Sequence, residues 1–334
     1  MQSEKIVFID YLKVIGLFCI ILAHTCTDQT ILQIRNFDVP LMVIISGFLA
    51  VESFKRSLKK DHAFLNYYWK RITRLLFPTW VFLIIFFAIM TFFPIDGMYP
   101  YSTDYIINSF LLIYGTGWII RIFLICAFIT PVIYYFDKIE SEFIQFLILL
   151  IIYILYEIAI FLQINQQNII FEFILAYVIP YGIIYLLGMI TTKTSYKTDF
   201  AISLISLACL LASGYILYTA TGVVQPTQIM KYPPTIYYIS YALFVSMLLF
   251  AIFKKINLKS NRFVDFCSKS SLWIFLWHIL FLTILPLIYG EMEWTSTFFI
   301  VLICAISVTY IQNKIIDFLE RRGANKNILK IFKG

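Results

Sequence analysis

Apolar runs of about 20 residues recur along this chain from one end to the other, and no other feature limits its fold as strongly. A helix of that length, at about 1.5 Å per residue, crosses the hydrocarbon of a bilayer. The connections between runs are short. They contain no Gly/Ser linker, no convincing internal repeat and no soluble domain of any size. With 61% hydrophobic and 13% charged residues over 334 positions, a soluble fold is excluded. The expected fold is all-α, a polytopic transmembrane helix bundle forming one integral-membrane domain over 1–334, with a basic tail at 319–334. Ten spans are predicted, at roughly 8–26, 37–54, 74–93, 117–136, 143–163, 169–191, 199–220, 234–254, 270–289 and 296–318. The first is not a cleavable signal: it carries Asp10 and Lys13, has no small-residue cleavage site, and more apolar runs follow at once.

Charge fixes the expected orientation. With the N-terminus in the cytoplasm, all but three of the 26 Lys and Arg fall on or near the inner side, the exceptions being Arg35, Arg121 and Lys231. The net charge of +7 therefore points to membrane orientation and not to a nucleic-acid partner. Both termini are expected in the cytoplasm. The largest basic connection is FKRSLKKDHAFLNYYWKRITRLLFP after the second run; FPIDGMYPYSTDYI, expected outside, has acids and aromatics but no bases. The tail ERRGANKNILKIFKG reads as a juxtamembrane electrostatic anchor on membrane lipids. Six scattered cysteines with no CxxC spacing give little support to a metal site or a disulfide framework, and no metal is expected.

Three groups of residues carry possible chemistry. Lys13 and His24 share the first run, IDYLKVIGLFCIILAHT. Eleven positions on an α-helix fall about 20° short of or past whole turns, so both side chains lie on one face, roughly 16 Å apart along the axis. An ionisable residue inside a membrane helix is costly and points to function. A lone helix-end histidine is more often an interfacial hydrogen-bonding residue, but its register with Lys13 and Asp10 favours acid–base work, where a neutral imidazole is the usual base for a hydroxyl. Lys70, Arg71 and Arg74, in WKRITRLLFP, form the second group. Ordinary inner-side anchoring accounts for them, while Arg71 and Arg74 at i, i+3 also suit a phosphate clamp for a polyphosphate ligand, with Lys13 at similar depth. The third group, Arg121 with Trp118 beside it, Glu157 and Glu172, lies at the outer depth of His24. It reads either as a structural ion-pair network or as a polar pocket that orients His24 and holds an acceptor. Glu157 and Glu172 rank equally as the carboxylate that would hold the imidazole. His278, in SLWIFLWHILFL, is expected to be a buried residue bonded to a neighbouring helix, structural rather than catalytic. His62 reads as solvated, and Ser46 and Gly47 first of all as small residues that let helices approach.

These residues resemble, in order, the motifs of the membrane-bound acyltransferase 3 family, which O-acylates envelope carbohydrates and related molecules. IDYLKVIGLFCIILAHT resembles its first helix, VPLMVIISGFL its second, KRITR its Arg-x-x-Arg motif, GWIIRIFLICAFITP its Trp-containing fourth helix, and SKSSLWIFLWH its late helix with a Ser-rich start and a His. The resemblance runs from residue 5 to about 290. It implies an acyl-CoA donor, usually acetyl-CoA, bound from the cytosol, and acyl transfer through the bundle to a glycan or lipid-linked saccharide near the outer face of the plasma (inner) membrane. It further implies that His24 is the essential histidine and that Arg71 and Arg74 contact CoA. Trp118, Arg121 and Ser46 fall where an acceptor pocket would be. The family usually has Arg at the position of Lys13; lysine keeps the charge but loses the bidentate fork.

Two other classes fit parts of the sequence. A transporter or flippase for polysaccharide or lipid-linked sugar would suit ten helices with a polar path, but no inverted repeat or matched pair of broken helices is visible. An inactive assembly partner would leave the Lys13–His24 register unexplained.

Overall fold

A computed structural model describes residues 6–59, 62–92, 101–113, 117–162 and 169–333. The segments 1–5, 60–61, 93–100, 114–116, 163–168 and 334 lie outside the described residues; they include much of the connection expected outside after the third run. The described chain is helical with no strand. Its helices are α1 (Val7–Thr25), α2 (Gln29–Ile34), α3 (Asp38–Leu58), α4 (Ala63–Met90), α5 (Thr103–Phe110), α6 (Gly117–Asp137), α7 (Glu142–Phe161), α8 (Ile169–Phe173), α9 (Ile179–Ile190), α10 (Tyr196–Thr221), α11 (Ile236–Lys255), α12 (Arg262–Lys269), α13 (Ser271–Tyr289), α14 (Trp294–Arg321) and α15 (Lys326–Phe332). Among the described residues, nine helical segments are long and apolar enough to cross a membrane, with Gly117–Val132 as a further, shorter apolar segment. The protein is a multi-pass membrane helix bundle.

The basic connection after the second run is mostly helix and not loop. α3 runs on to Leu58 and α4 starts at Ala63, so Lys55, Arg56, Lys70, Arg71 and Arg74 ride on helical extensions. At 28 residues, α4 is about 42 Å long, more than a hydrocarbon core of about 30 Å. The expected span over 169–191 is met by one apolar helical segment, Ile170–Ile190, in which a π-turn at Ile174–Val178 separates α8 from α9. Pro180 follows it and has no N–H to give, and the Ile179 N–H reaches back five residues to Ile174.

The described residues form two compact units. The first contains residues 1–16, 29–64 and 125–259. Its centre is α3, which crosses α9 at a very close approach. A Cβ added at Gly47 would fall on the Tyr185 carbonyl, and one at Gly188 on the Ile44 carbonyl, so each glycine admits the other helix's backbone. α10 pairs with α11 through Ser203, whose hydroxyl donates to the Phe244 carbonyl at 2.8 Å. Where α9, α10 and α11 meet, Lys254 sits 2.6 Å from Asp199, donates to the Thr191 carbonyl at 2.7 Å, and Thr194 donates to the other Asp199 oxygen at 2.5 Å. Asp137, at the end of α6, takes Lys55 at 3.0 Å and Lys193 at 2.8 Å. Arg35 and Lys231, two of the three bases assigned to the outer side, are buried; Arg35 pairs with Asp38 at 2.9 Å.

The second unit contains residues 17–28, 65–124 and 260–334. α13 lies along α14, and the tail returns to both as α15. Trp273 Nε1 donates to the Ile331 carbonyl at 3.2 Å, Trp277 Nε1 donates to Gln312 at 2.7 Å, and Gln312 donates in turn to the Phe332 carbonyl at 2.6 Å. Lys333 meets Asp317 at 2.7 Å. The tail thus has protein partners of its own in addition to the lipid-facing charge expected of it.

Candidate active site

α1 is unbroken from Val7 to Thr25, so the register computed for Lys13 and His24 applies to the folded helix. The helix places His24 next to its last residue, Thr25, with the side chain half-buried. His24 belongs to the second unit, and so does His278 on α13. The two rings meet: His24 Nδ1 lies 2.9 Å from His278 Nε2. Their centroids are 5.1 Å apart and their planes 12° from parallel. That separation exceeds the N···N distance by about two ring radii, so the rings join edge to edge, the arrangement of a straight N–H···N bond. The other nitrogen of His278, Nδ1, is hydrogen-bonded to the Phe275 carbonyl one turn earlier on α13. The His278 side chain has no solvent exposure, and the Phe275 ring stands 5.0 Å from it.

His278 is therefore buried and bonded to a neighbouring helix, as its sequence context suggests, but the neighbour is the candidate base itself. The nitrogen of His24 for which a carboxylate was expected is bonded to an imidazole. The hint available in the sequence was a lone imidazole in the apolar helix SLWIFLWHILFL.

The other candidates divide between the units. In the second, Arg71 and Arg74 stand one turn apart on α4; the Arg71 guanidinium lies over the Tyr67 ring at 5.0 Å. Pro78 leaves the Arg74 carbonyl without its usual helical donor. Trp118 and Arg121 are half-buried in the first turns of α6. In the first unit, Lys13 and Ser46 are half-buried, Ser46 next to the Gly47 crossing. Glu157 is half-buried near the end of α7 and accepts from the Tyr153 hydroxyl one turn back. Glu172 is exposed on α8.

Outside the spans, two groups show what burial and pairing do to charge here. Burial pushes the Lys231 ammonium down, with Asp38 opposing and Arg35 adding to the effect. Partial burial pushes the Asp137 carboxyl up, but hydrogen bonds from Lys193 and Lys55 outweigh it and leave the group below its ordinary value.

As an isolated device, a half-exposed imidazole whose second nitrogen is held from behind can take a proton from a hydroxyl, or form a bond to a carbonyl carbon, without the ring turning away. A family model described as an acyltransferase domain matches residues 6–312, nearly the whole chain. No curated protein and no solved structure matches it.

Proposed function

The chain belongs to that acyltransferase family, and from this premise we propose that it is a membrane O-acyltransferase drawing on cytosolic acyl-CoA, acetyl-CoA in the first instance, and acylating a hydroxyl of an envelope glycan or glycolipid at the outer face of the plasma membrane. The observation that carries this reading is His24: an imidazole in the last turn of an apolar helix, half-buried and hydrogen-bonded, within a chain matched over 6–312 to an acyltransferase domain.

In the direct route, His24 takes the proton of the acceptor hydroxyl as that oxygen attacks the thioester carbonyl. A C–O bond forms, the C–S bond breaks, and the proton passes on to the departing CoA sulfur, giving ester and free CoA. In the relay route, the imidazole nitrogen displaces the CoA thiolate, a C–N bond forming as C–S breaks; the acceptor oxygen then displaces the nitrogen, and the hydroxyl proton passes to the thiolate, giving the same ester and free CoA. Arg71 and Arg74 supply guanidinium forks for the CoA phosphates, with Lys13 as a third cation. Trp118, Arg121 and Ser46 contribute to acceptor binding, and Glu157 and Glu172 supply carboxylates at the same expected depth. The orientation follows the distribution of Lys and Arg, with Arg35, Arg121 and Lys231 alone on the outer side.

Purified protein in lipid nanodiscs, given acetyl-CoA, is expected to release free CoA thiol, faster with envelope glycan present. Acetyl esters are expected to disappear from that glycan in a deletion strain. Folded protein that neither cleaves the thioester nor changes the glycan's ester content would overturn the reading and leave a transport role.

A further inference from the structure

We propose that His278 is a positioning residue that fixes the tautomer of His24, leaving Nε2 of His24 as the working nitrogen. The inference rests on the proposed role of His24.

The argument starts from the Phe275 carbonyl, which can only accept. Its hydrogen bond to His278 Nδ1 places the proton of His278 on that nitrogen. With one proton on the ring, Nε2 of His278 is then an acceptor. Its partner 2.9 Å away, Nδ1 of His24, must donate. With one proton on that ring too, the lone pair of His24 sits on Nε2. A single backbone carbonyl thus sets the proton positions on two rings in sequence. The near-parallel planes and edge-to-edge contact make the chain of bonds directional. Burial divides the roles: His278 is sealed from solvent, while His24 is half-exposed and can meet a substrate.

The same logic operates when a base is oriented by a third group, commonly a carboxylate. In a membrane interior a carboxylate would bring a charge that must be matched or desolvated. A neutral imidazole orients without that cost. When Nε2 of His24 takes a proton from the acceptor, the Nδ1–H bond to His278 persists, and the His278 lone pair faces the newly charged ring. In the relay route the same constraint selects Nε2 as the atom that carries the acyl group.

The chain has three histidines, His24, His62 and His278, so ¹⁵N-histidine spectra of the full-length protein in nanodiscs can be assigned with single variants. The wild type is expected to show His24 protonated on Nδ1, and His278→Leu to lose that preference. His278→Leu should lower kcat by about 10²-fold, the scale of a lost acid–base contribution, with the donor KM changed by less than about threefold. His278→Gln, whose amide oxygen can accept from Nδ1 of His24, should recover most of the loss. A proton on Nε2 of His24 in the wild type overturns the proposal, as does a fully active His278→Leu. If His278→Leu fails to fold, the wild-type spectrum and His278→Gln still decide. An active His24→Ala would instead remove the catalytic reading itself; an inactive His24→Ala beside a fully active His278→Leu would remove only the positioning role.

Discussion

In the first unit, acids taken out of water meet bases: Asp199 meets Lys254 at 2.6 Å and Asp38 meets Arg35 at 2.9 Å. In the second, the polar contact between α1 and α13 joins two imidazoles across 2.9 Å, with no formal charge required on either. Each device has its own use. An ion pair engages both partners in holding each other, and Thr191 and Thr194 complete the shell around Lys254. A histidine pair joins the two helices through one nitrogen of each ring. Buried charge in the first unit therefore maintains geometry, while the contact in the second joins two helices without an ion pair.

The sharpest test of that contrast is His24→Ala. It is expected to lower turnover by roughly 10²-fold or more while thermal unfolding and donor binding stay near wild type. A variant that instead unfolds would show that the histidine pair is also a structural bond, and the contrast would fail.

Of comparable size, but read in stability, is Asp199→Asn, which leaves Lys254 uncompensated. Removing one partner of a buried pair costs about 3–5 kcal/mol, read as a lower melting temperature and poorer yield in detergent. Adding Lys254→Met should recover most of it, because an apolar pair of similar volume does not need a counter-charge. A single variant as stable as the wild type would place these charges in contact with water.

Arg71→Ala and Arg74→Ala should raise the donor KM, with a loss of about 1–3 kcal/mol for a charge-assisted bond, and should change the melting temperature little. Unchanged KM in both would reduce these residues to membrane anchoring.

The smallest effect is a pH dependence at Asp137. Its pairing with Lys193 and Lys55 holds the folded-state pKa below the unfolded value of about 3.9. The stabilisation is therefore complete above that value and is lost as pH falls through the lower, folded-state pKa. Asp137→Asn should flatten this acid limb of the melting-temperature profile and leave the neutral region nearly unchanged. An identical acid limb in the variant would show the three-residue contact to be too well solvated to matter.

The bundle was legible because its signals are local. Apolar runs have span length, and Lys13 and His24 can be placed on one face from helix geometry alone. The π-turn before Pro180 and the helical state of the basic segment around Arg71 are harder to see. Both depend on how a helix continues through polar or proline-containing sequence. The close crossing was half-visible: Gly47 stood out as small, but its partner Gly188 lies 141 positions on and only packing joins them. The histidine pair was least legible of all. His278 was noticed, but nothing in its own helix says which neighbour its Nε2 will meet.

His24 and His278 are separated by 254 positions, and this has a consequence during biosynthesis. The ribosome makes the α1 ring long before its α13 partner. The α15 contacts to Trp273 and Gln312 come only with the final residues. A nascent chain already inserted through α1 holds a His24 ring that has not yet met His278. The hydrogen bond between α1 and α13 can form only once both helices are in place, so the pair belongs to the late steps of assembly.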